Sequence, residues 1–416
     1  MANTFVDTVK VVGDKMLQFL EPDYGIIGDV DRQLESSFEM SKESYGQSVN
    51  VPKPPRYVSQ AGPVISNVST INIETIPVTV DKWRNVTVSL SALDRNFNAK
   101  EFDAWAEKYL KPMVSPLKSD VATDIFGLYK KVANYVGTPG TGFGTTAQTA
   151  LDLMGAAREM LTYQNTPENR VCYLNPTGSR KFVAALGLNY NPMSDIGAMI
   201  KDGKPFRTEG FVMKEAVQVA QQTCGTFAPA GSVLTNGTDQ VGNAIALNTG
   251  TNAATILVGD VLSFAGVYEV NPVTGKSTGT LKRFVVTANA VMSGNACTVY
   301  VSPSVIPTGA FKNITGANAD LAGIPDDAIV YMNNQLATGT ARTDAQQMAF
   351  WTKALGLVCV PIRAPQGLKP ITRSINGVSI TLTIGADIFQ YAEYFRADLA
   401  YGVVAYYPEN CVRITN

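Results

Sequence analysis

Near Cys224 the pattern of this sequence changes, and near Thr338 it changes back. Between about Thr226 and Thr338 the chain is rich in Thr, Val, Asn, Gly and Ala, poor in charge, and without a helical period. Short strand-like stretches follow one another there: Ala254 to Val258, Val261 to Phe264, Val267 to Val270, Leu281 to Ala288 and Cys297 to Val301. Turn signals such as Gly259-Asp260 and Asn271-Pro272 separate them. Closely spaced short strands predict a small sandwich or barrel. On either side the pattern is mixed. The spacing therefore predicts an α+β body interrupted by an inserted all-β domain, two or three domains in 416 residues.

The strongest helical signal begins at Asn98, with Glu101 placed to close a capping box. Phe102, Trp105, Tyr109, Met113, Leu117, Val121, Ile125, Leu128, Val132 and Tyr135 follow at spacings of three and four. They predict one long helix, kinked near Pro112 and Pro116 and continuing beyond them. After a glycine-rich break from Gly137 to Gly144, a second helix opens at Thr145 and Gln148. A short strand from Arg170 to Leu174 and the pair Asn175-Pro176, cap and first helical residue, start a third helix ending at Gly187. Asn376-Gly377 marks a hairpin between ITRSI and VSITLTI.

Two segments look built for contact outside the body. Val6, Val9, Val12, Met16, Leu17 and Leu20 form one helical face stopped by Pro22, an amphipathic segment that either packs on its own core or docks as an arm on a neighbouring chain. From Ser48 to Ile65 the prolines Pro52, Pro54, Pro55 and Pro63 alternate with Lys53 and Arg56. Repeated proline excludes a helix or a central strand and predicts an extended excursion or long hairpin, followed by strands at Ile71 to Val80 and Val86 to Leu90.

Composition removes most chemistry. There is no histidine, so Ser-His-Asp and Cys-His arrangements and imidazole zinc sites are excluded. Cys172, Cys224, Cys297, Cys359 and Cys411 are odd in number and contain no C-x-x-C pair. They predict buried small hydrophobes in a reduced, cytosolic setting. Asp7, Lys10, Asp14 and Lys15 interrupt any apolar signal core, and the longest apolar run, Leu355 to Ile362, is far short of a bilayer span. We expect neither export nor a membrane, and no glycan on the sequons at Asn67, Asn85, Asn236 and Asn313. Charged residues are 17% of the chain against about 25% for an ordinary domain. The net charge of −1 gives no field that would draw nucleic acid. Gly275-Lys276-Ser277 looks like the end of a phosphate loop, but Val270 stands where that loop needs its first glycine, and a hairpin turn is the better reading. Asp326-Asp327 reads as a solvated loop. No catalytic, cofactor or metal site emerges, and the parts suit a protein that contacts copies of itself.

GDVLSFAGV (Gly259 to Val267), CYLNPTGSRKF (Cys172 to Phe182), AFWTKALGLV (Ala349 to Val358) and FRADLAYGVVAYYPENCVRI (Phe395 to Ile414) carry a resemblance. In that order the chain resembles the major capsid proteins of tailed bacteriophages. Their fold, shared with herpesvirus capsids, is called the Hong Kong 97 type. More narrowly it resembles the coat proteins of short-tailed phages with an inserted immunoglobulin-like domain. The resemblance implies an N-terminal arm over 1–40, an E-loop with flanking strands over 41–97, and a peripheral domain with its spine helix over 98–145. It also implies an axial domain over 146–225 and 339–370, the insertion over 226–338, and strands returning to the peripheral domain over 371–416.

The implied function is a structural, non-enzymatic subunit forming hexamers and pentamers of an icosahedral phage head, within the virion and assembled in the host cytoplasm. Implied partners are a scaffolding protein, a portal protein, and double-stranded DNA held without sequence-specific binding. Scaffold docking in the family involves acid in the arm, which puts Asp14 against a basic scaffold helix. Lys53 and Arg56 are expected to pair with carboxylates of an adjacent subunit, and Asp239 to lie at a contact between capsomers. A nanocompartment shell and an adhesin-like binding module are the competing readings. The insertion counts against the first, the absent export signal and long helix against the second.

Overall fold

The computed structural model describes residues 25–34, 46, 48–52, 75–90, 108, 111–144, 147–186, 207–227, 233–335, 339–362, 371–375, 377–387 and 392–415. They fall into two units: one of Met1–Lys53, Thr75–Ile125 and Leu355–Tyr406, the other of Pro54–Glu74, Phe126–Ala354 and Tyr407–Asn416. Among the described residues no helix is long and apolar enough to cross a membrane.

In the first unit a fourteen-residue strand, Ala392–Ala405, is the centre of a six-stranded sheet. It pairs antiparallel with Leu355–Val360, with Val378–Asp387 and with Lys82–Leu90. Asp31–Leu34 adds a parallel edge to Leu355–Val360. All six residues of Leu355–Val360 are buried, which explains an apolar run without alternation. Ile371–Ile375 and Val378–Asp387 form the expected hairpin, with Ile375 opposite Val378 and Gly377 at φ 83°, while Asn376 lies outside the described residues. Gly402 is required by packing, because a Cβ there would stand 2.5 Å from the Thr79 carbonyl. That carbonyl belongs to a separate ribbon, Ser48–Pro52 against Thr75–Thr79. Lys82 and Arg84 reach Asp124 at 3.3 and 3.6 Å, and the buried Tyr401 hydroxyl donates to the same carboxylate at 2.6 Å.

Helix α1, Lys111–Phe126, buries Met113, Val114, Leu117, Val121 and Ile125. It runs through Pro116, which lies on the exposed side, where water can satisfy the carbonyl it leaves unpaired, while Pro112 sits in the first turn and removes no intrahelical bond. Asn98 and Glu101 lie outside the described residues. The expected continuation to Tyr135 is corrected: the helix tightens to a 3-10 turn over Gly127–Lys131, and Tyr135–Val136 is a strand. Leu128, Val132 and Tyr135 are nonetheless buried, so the stripe recorded burial and Gly127 ended the helix.

The second unit holds a six-stranded mixed sheet in the order Tyr135–Val136, Cys411–Ile414, Gln347–Trp351, Arg170–Leu174, Phe211–Glu215, Arg207–Thr208. Helices α2, Ala147–Tyr163, and α3, Pro176–Leu186, close its core around Phe143, Met154, Leu161, Phe182 and Phe211. The Asn175 carboxamide accepts the Gly178 N–H at 2.7 Å and caps α3, as the Asn-Pro pair indicated. Asn165, at φ 54°, ends α2 in the left-handed conformation.

The same unit contains a seven-stranded antiparallel sheet between residues 234 and 332, with its own core around Ile245, Leu262, Phe264, Phe284, Val299 and Ile324. The two stretches read as Val261 to Phe264 and Val267 to Val270 are one strand, Val261–Val270, bulged where Gly266 takes φ 79°. Gly275-Lys276 is a hairpin turn: Asn271 Oδ1 accepts the Val273 and Thr274 N–H groups at 2.9 and 3.0 Å, which engages the donors a phosphate would need.

Cys172, Cys224, Cys359 and Cys411 are buried and free, and Cys297 is half-buried. Burial pushes the Cys359 thiol up to about 12 from an ordinary 9.0, and raises Cys172 and Cys411 as well. A raised thiol keeps its proton in the fold after the unfolded chain has lost its own. Stability is then whole below about pH 9 and falls as pH rises above it. Cys359→Ala is expected to reduce the slope of urea-unfolding free energy just above pH 9 by about 1 kcal/mol per pH unit. An unchanged slope contradicts this.

Candidate assembly sites and the neck of the β domain

Asp14, Lys53 and Arg56 lie outside the described residues. Asp239 is exposed in a turn at φ 51°, a conformation that asparagine and aspartate tolerate better than most. Its loop is fixed at the base: Gln240 and Ile324 exchange main-chain hydrogen bonds at 3.0 and 2.9 Å, and a Cβ on Gly323 would stand 2.3 Å from the Asp239 carbonyl carbon. The loop thus presents an exposed carboxylate at a defined place on the β domain.

Sequence reasoning missed the neck through which the chain enters and leaves the β domain. Gln221–Thr223 enters and Thr343–Ala345 leaves as an antiparallel pair. Just past it, the buried Asp260 carboxylate accepts from Leu257 N at 2.8 Å, Asn334 Nδ2 at 2.9 Å and Gly225 N at 3.0 Å. One side chain therefore ties Gly225, just past the entering strand, to Leu257 and Asn334 of the β domain. Burial raises its pKa, and the donors from Asn334, Leu257 and Gly225 pull the other way. Gly225 admits the approach, because a Cβ would stand 2.0 Å from the Thr255 carbonyl oxygen. Gln335 Nε2 adds a bond to the Gly225 carbonyl at 2.8 Å.

Beside it lies Arg413, with no exposed surface at all. Its Nη1 donates to the Gly259 carbonyl at 2.8 Å, and its guanidinium lies 5.7 and 5.8 Å from the Tyr129 and Tyr135 ring centres. Burial lowers its pKa to about 10, against the charges of Tyr135, Tyr129 and Asp260. The tail strand and the neck are joined through this cation. The signals were in the sequence, Gly259-Asp260 and the end of FRADLAYGVVAYYPENCVRI, but a turn and a strand were all that local pattern could assign. A second buried group, Glu269, accepts from Lys282 at 2.7 Å and Gln164 at 2.6 Å and links the β domain to the end of α2. Among the described residues no cluster could hold a metal ion. The arrangement is one of mechanical attachment.

Residues 193–415, more than half of the chain, match the family model described as P22 coat protein, gene protein 5. No curated protein matches. Among solved structures the chain is similar to that of Mycobacterium phage Che8, at 12% identity and TM-score 0.41 over 94% of this chain and 90% of that one. It is also similar to the capsid structure of the Cyanophage P-SCSP1u, at 10% identity and TM-score 0.43 over 94% and 87%. The CUS-3 coat protein I-domain is matched at 21% identity and TM-score 0.18 over 25% of this chain and 96% of that one.

Removing the neck carboxylate leaves three close donors without an acceptor. Asp260→Ala is expected to lower the urea-unfolding free energy of the full chain by about 3 kcal/mol or more. A loss under about 1 kcal/mol would mean that the neck is held elsewhere.

Proposed function

The chain belongs to the P22 coat protein family and is a structural protein of the capsid shell, and from that premise we propose that its copies close into the hexamers and pentamers of an icosahedral head around double-stranded DNA. The observation that carries this reading is the family match from residue 193 to 415. A closed shell of one chain needs contacts that differ on their two sides and close by rotation, so each copy buries several unlike patches. Scarce charge supports that demand, because a surface covered by neighbours has little use for solvated ions. Near-neutrality also suits a container for a polyanion, since a strongly basic wall would retain DNA tightly.

Within this reading the chain divides as the family resemblance implies. The N-terminal arm covers 1–40, the E-loop 41–97, the peripheral domain 98–145 with 371–416, the axial domain 146–225 with 339–370, and the inserted β domain 226–338. The ribbon Ser48–Pro52 with Thr75–Thr79 is the base of the E-loop, and Lys53 and Arg56 lie just past it, where they would pair with carboxylates of the next subunit. The prolines there limit the unfolded freedom of the segment and so lower the cost of ordering it on a neighbour. Asp14 faces a scaffolding protein during assembly in the host cytoplasm, Asp239 meets a neighbouring capsomer, and a portal occupies one vertex.

Negative-stain electron microscopy of the chain, expressed alone and with a scaffolding protein, tests the proposal. Closed or spiral shells tens of nanometres across are expected, with less scaffold retained by Asp14→Lys. Stable monomers under both conditions would overturn the shell, and unchanged scaffold content would remove the role of Asp14.

A further inference from the structure

Arg283 follows Lys282 on the strand Ser277–Val286, and the two cations are not served alike. Lys282 is paired with Glu269 at 2.7 Å, and Gln164 takes the same Glu269 oxygen at 2.6 Å. Arg283 has no carboxylate of its own. Among the described residues its one hydrogen bond runs from Nη1 to Met160 Sδ at 3.1 Å, and a thioether is a weak acceptor for a group that carries five donors. Burial lowers its pKa, with the Glu269 charge acting against that.

Arg283 lines a cavity of about 200 Å³. Helix α2 contributes Ala156, Glu159, Met160 and Tyr163 to its lining. A space of that size holds far more than one water, and it joins apolar wall to unused donors. The acid on the wall, Glu159, is exposed and bonded by the Tyr163 hydroxyl, and the carboxylate whose charge acts on Arg283 is Glu269. We propose that this cavity binds a small oxyanion, a phosphate or carboxylate group, on Arg283. The partly buried setting strengthens a charge-assisted bond there, and the bound anion would tie the β strand Ser277–Val286 to α2. The inference is independent of the capsid reading, since it concerns the isolated chain.

Isothermal titration of the unassembled full chain with inorganic phosphate and, separately, with acetate, at ionic strength held constant with chloride, tests it. One saturable site is expected, and the arm that binds identifies the kind of group. Arg283→Gln is expected to weaken binding about tenfold or more, the scale of one charge-assisted hydrogen bond. Glu159→Gln, an exposed position that leaves the fold intact, is expected to tighten it. No saturable heat from either anion would overturn the proposal, as would equal affinity in Arg283→Gln. If Arg283→Gln does not fold, unchanged affinity in Glu159→Gln overturns it.

Discussion

A guanidinium with no exposed surface governs the larger unit of this protein. Taking an arginine out of water costs several kcal/mol unless charge and dipoles replace the solvent. Here Arg413 has one carbonyl at 2.8 Å, two tyrosine faces and the field of Asp260, while Nε and Nη2 find no hydrogen-bond partner among the described residues. Such a group is tolerable only if its surroundings stay in place. The carbonyl comes from Gly259, Asp260 is the next residue, and Asp260 binds Gly225, just past the entering strand, and Asn334. The position of the tail strand and the closure of the neck are therefore one condition.

That condition suits a coat protein. A β domain on a two-strand neck would swing unless buried polar contacts fixed it. Asp260, Glu269 and Arg413 supply contacts whose loss leaves unpaired charge in the interior, so partial detachment is costly. The surface is then free to be neutral and to lie against other subunits.

Much of the fold was legible in the sequence because short-range signals decide short-range geometry. Asn175-Pro176 caps a helix, Gly377 turns a hairpin, and Asn271 folds the turn that mimics a phosphate loop. The change of composition at Thr226 marks a β region with a core of its own. Longer-range facts were not legible. A stripe at helical spacing continued past Phe126 because burial on a 3-10 turn and a short strand leaves the same trace as burial on a helix. Arg413 reads as one charged residue on a short terminal strand, and nothing local says that Gly259, far earlier in the chain, will meet it. Of the four residues expected at assembly contacts, Asp239 lies in described structure, on a loop whose fixed base the sequence did not reveal.

Hydrogen exchange by mass spectrometry on the full chain carrying Arg413→Met tests the central claim that this buried cation holds the neck. The account predicts faster exchange in Gln221–Thr223, Thr343–Ala345 and the segment around Gly259, with protection retained in the strand Cys297–Val305. Unchanged protection at the neck would contradict it and would show that Asp260 and its donors suffice alone.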